Sequence, residues 1–190
     1  MSEYQITCCS TADMPAQYFE EKKIPFVCFN FLMDGVQYPD DLGKSMPFKE
    51  FYKKIADGAE PTTAQVNTQQ YMELFEPILQ KGLDSLHLTL SSGISGSINS
   101  ANIAKVQMEE KYPGRKVRII DSLSASSGYG MLVDMALTKQ QEGLSLEENA
   151  SWLEENRNKL HHWFFSTDLT SFIRGGRISK VSGFVGQALN

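Results

Sequence analysis

Residues 85–101, Ser-Leu-His-Leu-Thr-Leu-Ser-Ser-Gly-Ile-Ser-Gly-Ser-Ile-Asn-Ser-Ala, change periodicity part-way along. The apolar run over 85–91 is short and ends in hydroxyls, which reads as a buried strand. Beyond the loop at 91–97, Ile98, Ala101, Ala104 and Met108 recur at the spacing of one helix face. Strand, glycine-rich loop and helix in that order form half of a crossover unit, and the loop falls at the carboxyl end of the strand. In an open parallel sheet the ligand crevice lies there.

The same alternation extends in both directions. Strands are expected at 5–9, 24–33, 116–121 and 162–167, as short runs of Val, Ile, Phe and Cys between turn residues. The clearest helix is 68–81, where Tyr71, Leu74, Phe75, Ile78 and Leu79 make one buried face. Phe48, Phe51, Tyr52 and Ile55 repeat that logic over 47–56, and 126–141 and 146–160 supply two more helical segments. The expected fold class is therefore α/β, a largely parallel sheet with helices on both faces. A boundary is expected near residue 160, after the charged segment EENASWLEENRNKL. This gives a ligand-binding domain at 1–160 and, at 161–190, the start of a second, smaller α/β domain that stops before it is complete.

Composition excludes several function classes. The chain has 190 residues, 41% of them hydrophobic, enough for a substantial core. A net charge of -5 gives no electrostatic footprint for a phosphate backbone, so no nucleic-acid partner is expected. No apolar run reaches the roughly 18 residues needed to span a bilayer, and MSEYQ lacks the features of a signal peptide, so the expected location is the cytoplasm. Cys8, Cys9 and Cys28 form no CxxC pattern, and His87, His161 and His162 lack partners at metal-ligand spacing. No metal and no cofactor are expected.

Three loops that follow strands are rich in hydroxyls: Cys9-Ser10-Thr11-Ala12-Asp13, Ser91 to Ser97, and Asp121-Ser122-Leu123-Ser124. Helix capping accounts for many such residues, because their oxygens accept from the orphan amides of a first turn. The 91–97 loop carries more than a cap requires. Its two glycines let the backbone approach a ligand, and the following helix presents N–H groups and a positive dipole end to a carboxylate or phosphate. Pro61-Thr62-Thr63-Ala64-Gln65 adds another hydroxyl pair before a helix for which Thr68 is the candidate cap.

Enzyme motifs fail letter by letter. Gly93-Ile94-Ser95-Gly96-Ser97 puts its second glycine one place too early for GxSxG. No phosphate-binding GxxxxGK[ST] loop occurs, and Gly128-Tyr129-Gly130 has Val133 where a dinucleotide fingerprint needs its third glycine. A serine nucleophile needs a base, and His87 precedes Ser91 by most of a strand, which favours a structural histidine. Arg174-Gly175-Gly176-Arg177 reads either as a tight turn with solvated arginines or as a cation pair facing an anion.

These segments together resemble the DegV-like family of bacterial fatty-acid-binding proteins. CSTADMP at 9–15, PTTAQ at 61–65, SSGISGSINSA at 91–101, IIDSLSASSGYGMLV at 119–133 and RGGRISK at 174–180 occur in the order expected of that family, and the similarity spans essentially the whole chain. The resemblance implies a parallel α/β domain and a smaller one, with a long-chain fatty acid whose carboxylate is held by loop hydroxyls. It also implies a carrier without catalytic residues, which presents the acid to a separate ATP-binding kinase subunit for acyl-phosphate formation. By position it assigns carboxylate binding to Thr63 and Ser95, with Ser92, Gly96 and Thr62 as neighbours. Arg174 and Arg177 are assigned to phosphate handling or kinase docking. Two departures stand out: Cys9 where the family often has Asp, and Ala64 where it often has Ser. A serine-dependent acyl hydrolase or transferase is the alternative, and a module that contacts only protein is a third reading.

Overall fold

In the computed structural model, residues 3–166 and 169–179 are described. The chain divides into two compact units, the first running to Leu160 and the second starting at His161. The first unit is built on a four-stranded sheet, all of it parallel, in the order β2-β1-β6-β7. These strands are β1 (Tyr4–Cys9), β2 (Phe26–Val27), β6 (Asp84–Thr89) and β7 (Val117–Asp121). Every residue of β6 is buried, including Ser85, His87 and Thr89, as befits a central strand covered on both faces.

Helices α3 (Thr68–Gln80) and α4 (Ser97–Lys111) pack on each other and on β6 and β7. Helices α5 (Ser126–Gln141) and α6 (Leu146–Asn156) pair likewise and cover β1, β6 and β7, while the shorter α1 (Ala16–Lys22) connects β1 to β2. The helical stripes bury the expected faces: Tyr71, Leu74, Phe75, Ile78 and Leu79 on α3, and Ala101, Ala104 and Met108 on α4. Among the described residues, no helix is long and apolar enough to cross a membrane.

The structure departs from the sequence reading between residues 24 and 64. The single strand expected at 24–33 is two strands in two sheets. β2 ends at Val27, and β3 (Asn30–Met33) leads an antiparallel sheet, order β4-β3-β5, with β4 (Val36–Pro39) and β5 (Thr62–Ala64). The switch occurs at Phe29. Its N–H donates to the Ser10 hydroxyl at 3.1 Å and its carbonyl accepts from Asp40 N–H at 2.8 Å, so its backbone is paired outside the parallel ladder. Helix α2 (Phe48–Ala56) joins β4 to β5 and packs Phe51 edge-on against Phe31, ring centroids 5.1 Å apart.

A second correction concerns α3, whose cap is Asn67 rather than Thr68. Asn67 accepts from Gln70 N–H at 3.0 Å, and the Gln70 side chain accepts from Asn67 N–H at 3.0 Å. The reciprocal arrangement satisfies two amides, which a hydroxyl one residue later could not do. In the second unit, residues 162–166 of the expected strand at 162–167 adopt no regular structure, and residue 167 lies outside the described residues. Trp163, Phe164 and Phe165 are exposed there and no ladder partner holds them among the described residues. α7 (Thr170–Arg174) follows.

Candidate functional site

β6 delivers the chain to the hydroxyl-rich loop, and local hydrogen bonds fix its path. The Ser91 carbonyl accepts from Ile94 N–H at 3.0 Å and from Ser95 N–H at 3.1 Å, while the Ser91 hydroxyl accepts from Gly93 N–H at 3.2 Å. One residue thus closes the whole turn. Ser92 is exposed, and Ser95 is 5% exposed at the base of α4, where its hydroxyl accepts from Ser97 N–H at 3.3 Å. Gly96 stands at the N-cap of α4 with no side-chain cap. The Ser97 hydroxyl is fully buried near the Tyr71 hydroxyl, whose pKa is raised above its ordinary range by burial and by Cys9, against a smaller lowering by Ser97.

The neighbouring loop is tied to this one through two oxygens. Asp121 Oδ1, at the end of β7, accepts from Ser92 N–H and from Leu123 N–H, each at 3.1 Å. Ser91 N–H donates to the Ser124 carbonyl at 3.0 Å and reinforces the link. Of the expected caps, Ser122 instead accepts from Ser124 N–H at 3.1 Å within its own loop, and Ser10 is engaged with Phe29.

The threonine segment is a strand rather than a loop, and its register sorts its side chains. Thr63 stands opposite Phe31, and Thr62 opposite Leu32. Alternation puts Thr63 on the sheet face of Phe31 and Tyr38, against which α2 packs. Thr62 and Ala64 face the other way. The departure at Ala64 is therefore on the face opposite Thr63. Just past the strand, the Gln65 carboxamide rests on Gly96: a Cβ built at Gly96 would lie 3.1 Å from Gln65 Oε1 and 3.3 Å from Nε2. This contact joins the threonine strand to the serine loop. The sequence reading assigned Gln65 no role, and its only signal was the position two residues beyond Thr63 on an alternating segment.

Beneath the serine loop, a row of polar groups crosses the core. Thr7 Oγ1 lies 2.9 Å from His87 Nδ1, Cys9 Sγ lies 3.8 Å from His87 Nε2, and Cys9 Sγ lies 3.5 Å from the Tyr71 hydroxyl. His87 is fully buried, edge-on to the rings of Tyr71 and Phe75, and burial pushes its pKa down to about 3. It stays neutral and turns toward Thr7 and Cys9, so it is not poised as a base for Ser92 or Ser95. Burial likewise raises the Cys9 thiol above its ordinary range. The second glycine of Gly128-Tyr129-Gly130 serves packing: its Cβ would lie 2.6 Å from the Ala12 carbonyl and 2.7 Å from Met14 Sδ. Tyr129 between them accepts from Cys9 N–H at 2.9 Å and donates to the Leu88 carbonyl at 2.5 Å.

Charge distinguishes the strand ends. Near the end of β1, desolvation raises the pKa values of Asp13 and Asp40, against hydrogen bonds from Ser126 and Ser10 that lower them. That end disfavours an anion. At the serine loop the carboxylate of Asp121 is already occupied by two amides. In the second unit, Arg174 ends α7, with its side chain outside the described part. Arg177 is exposed in the turn that follows, where Gly176 has φ +71° and Arg177 Nη1 donates to the Gly175 carbonyl at 2.5 Å. Among the described residues, no cluster of three or more His, Cys, Asp or Glu could hold a metal ion.

The family model described as "Uncharacterised protein, DegV family" matches residues 4–190. The chain belongs to the DegV family. A DegV domain-containing protein of Clostridium perfringens is 36% identical over 190 residues, which are 100% of this chain and 65% of that protein. The chain thus spans 65% of the length of that DegV relative. Among solved structures, a DegV family protein from Thermus thermophilus, described by its fatty acid binding, matches with a TM-score of 0.83 and 30% identity. The match covers 100% of this chain and 65% of that one. The fatty acid kinase B3 protein of Streptococcus pneumoniae, loaded with linoleic acid, shares the fold with a TM-score of 0.78 and 23% identity, over 96% of this chain and 64% of that one.

Proposed function

We propose that the chain binds a long-chain fatty acid, with the carboxylate at Ser95 and Thr63, and presents it to a separate ATP-dependent kinase subunit. The contact of Gln65 with Gly96 carries this reading, because it brings the threonine strand to the glycine turn at the N-terminus of α4. A carboxylate suits both the hydroxyls of these segments and a helix N-terminus. The fatty-acid-binding DegV protein of Thermus thermophilus supports the choice of ligand. Kinase partnership rests on the family resemblance of the motifs.

The division of labour follows from magnitudes. Burying an acyl tail stabilises by roughly 0.8 kcal/mol per methylene, before ordering costs. Each hydroxyl bond to the charged head adds about 1.5–3 kcal/mol. The tail gives affinity and the head gives register, so no nucleophile is needed. The neutral, inward-turned His87 supports a carrier over a hydrolase. By the same reading, the second unit belongs to a second, smaller α/β domain, and the protein works in the cytoplasm.

The test is binding of a fluorescent fatty acid to the wild type, Ser95→Ala and Thr63→Ala, with native mass spectrometry of the purified chain. Each variant is expected to lose about 1.5–3 kcal/mol of binding free energy, and the wild type to carry an acyl mass without a covalent adduct. Unchanged affinity in both folded variants would remove the head-group assignment. An acyl-serine adduct would establish the hydrolase instead.

A further inference from the structure

β6 and β7 end level, with Thr89 opposite Asp121, so the serine loop and the 122–125 segment leave the sheet side by side. The bonds of Ser95 stay local: its N–H donates to the Ser91 carbonyl and its hydroxyl accepts from Ser97 N–H. On the strand side the loop is therefore placed by Ser91 and Ser92, whose N–H groups donate to the Ser124 carbonyl and to Asp121 Oδ1. A carboxylate is an unexpected acceptor at that point. A site meant for an anion gains nothing from a negative charge close by, because like charges repel. The amides account for it, since a carboxylate oxygen binds an N–H more strongly than a neutral oxygen does. The same Oδ1 holds Leu123 N–H, and Leu123 is exposed yet adopts φ +50°, a left-handed conformation that a side chain disfavours. Such strain persists only where the surroundings over-determine it. From the main-chain side, Arg157 Nη1 donates to the Asp121 carbonyl at 2.7 Å, so both polar ends of Asp121 are engaged.

We infer that Asp121 is a positioning residue for the carboxylate site: acting through Ser92, it sets where Ser95 and the Gly96 turn stand, and it does not touch the ligand. What is positioned rests on the fatty-acid reading; the ordering of the loop by Asp121 does not. Asparagine keeps an oxygen acceptor in the same place and discards the charge, whereas alanine discards both. Loss on alanine with recovery on asparagine is thus the mark of a side chain that acts by holding amides. A group that acted through its charge would be lost in both variants.

The experiment titrates the wild type, Asp121→Ala and Asp121→Asn with a fluorescent fatty acid and with its methyl ester, and follows amide hydrogen exchange over residues 91–97 and 122–125. Asp121→Ala is expected to bind the acid at least about tenfold more weakly, to bind the ester as the wild type does, and to exchange the Ser92 and Leu123 amides faster. Asp121→Asn is expected to restore slow exchange and to bind the acid at least as tightly as the wild type. Equal weakening toward acid and ester would mean general damage to the fold, and a loss in asparagine equal to that in alanine would mean that the charge itself is used. Either result overturns the proposal, as does unchanged exchange in Asp121→Ala. If the wild type binds neither compound, the ligand reading fails by itself. Exchange then decides the rest: faster exchange in alanine with recovery in asparagine sustains the ordering of the loop by Asp121, and equal exchange in all three proteins overturns it.

Discussion

His87 shows how a single side chain can separate two functions. An imidazole beside a serine-rich loop suggests a hydrolase, but this ring is fully buried, edge-on to Tyr71 and Phe75, and hydrogen-bonded to Thr7. Protonation is resisted because the charged form would be desolvated. With a pKa near 3 in the fold, against about 6.5 in the unfolded chain, the unfolded state takes up more protons between those values. Stability therefore falls as the pH falls from about 6.5 toward 3. Over the two units from pH 6.5 to 4.5, this one group should remove on the order of 2–3 kcal/mol. Urea unfolding of the wild type and His87→Gln at both pH values checks it, and the variant should lack that share of the loss. An identical pH dependence in both proteins would mean that the ring is protonated in the fold. The same variant should keep its fatty-acid affinity.

At the scale of elements, the parallel sheet and its helices were legible because they bury long apolar stripes. Tyr71, Leu74 and Phe75 announce α3, and the Ser126–Gln141 helix was expected over the same residues. The antiparallel sheet was not legible. Thr62–Ala64 is three exposed residues and Val36–Pro39 is four residues with none buried, so neither leaves the alternation by which a half-buried strand is read. The break at Phe29 is set by Ser10 and Asp40, partners distant in sequence. For the site, Ser92, Ser95 and Gly96 were readable as one loop, whereas the role of Gln65 depends on a tertiary contact that no periodicity encodes. Close approach between elements is also testable at Gly130. A methyl group there would meet the Ala12 carbonyl at 2.6 Å inside a packed interface of α5 with the loop after β1. Gly130→Ala should therefore destabilise by about 1–3 kcal/mol, despite the better helix propensity of alanine. A thermal melt reads the sign, and a raised midpoint would show that the loop yields freely.

Across the whole molecule, the two arginines separate a store of fatty acid from a substrate-presenting subunit. Arg177 lies in a turn closed by Gly176 N–H to the Ile173 carbonyl and Arg177 N–H to the Phe172 carbonyl, each at 3.0 Å. The turn reading is thus sufficient for the backbone. The proposed kinase partnership asks more of the guanidinium. A positioned cation stabilises charge that develops in the transition state, not charge in the resting complex. Arg177→Ala, and to a similar degree Arg174→Ala, should lower acyl-phosphate formation by a cognate kinase at least about tenfold, roughly 1.4 kcal/mol, while fatty-acid affinity changes little. The assay uses a chain of the relatives' full length. Normal phosphorylation in both single variants and in the double variant would reduce the segment to a turn.

The Gln65 carboxamide against the bare Cα of Gly96 also has a consequence for sequence drift. The two positions draw on one small volume, so a larger residue at 96 is tolerated only as the residue at 65 shortens or swings aside. A chain that keeps glycine at 96 is free to keep a long amide at 65. The expected signature is covariation of positions 65 and 96, two sites far apart along the chain.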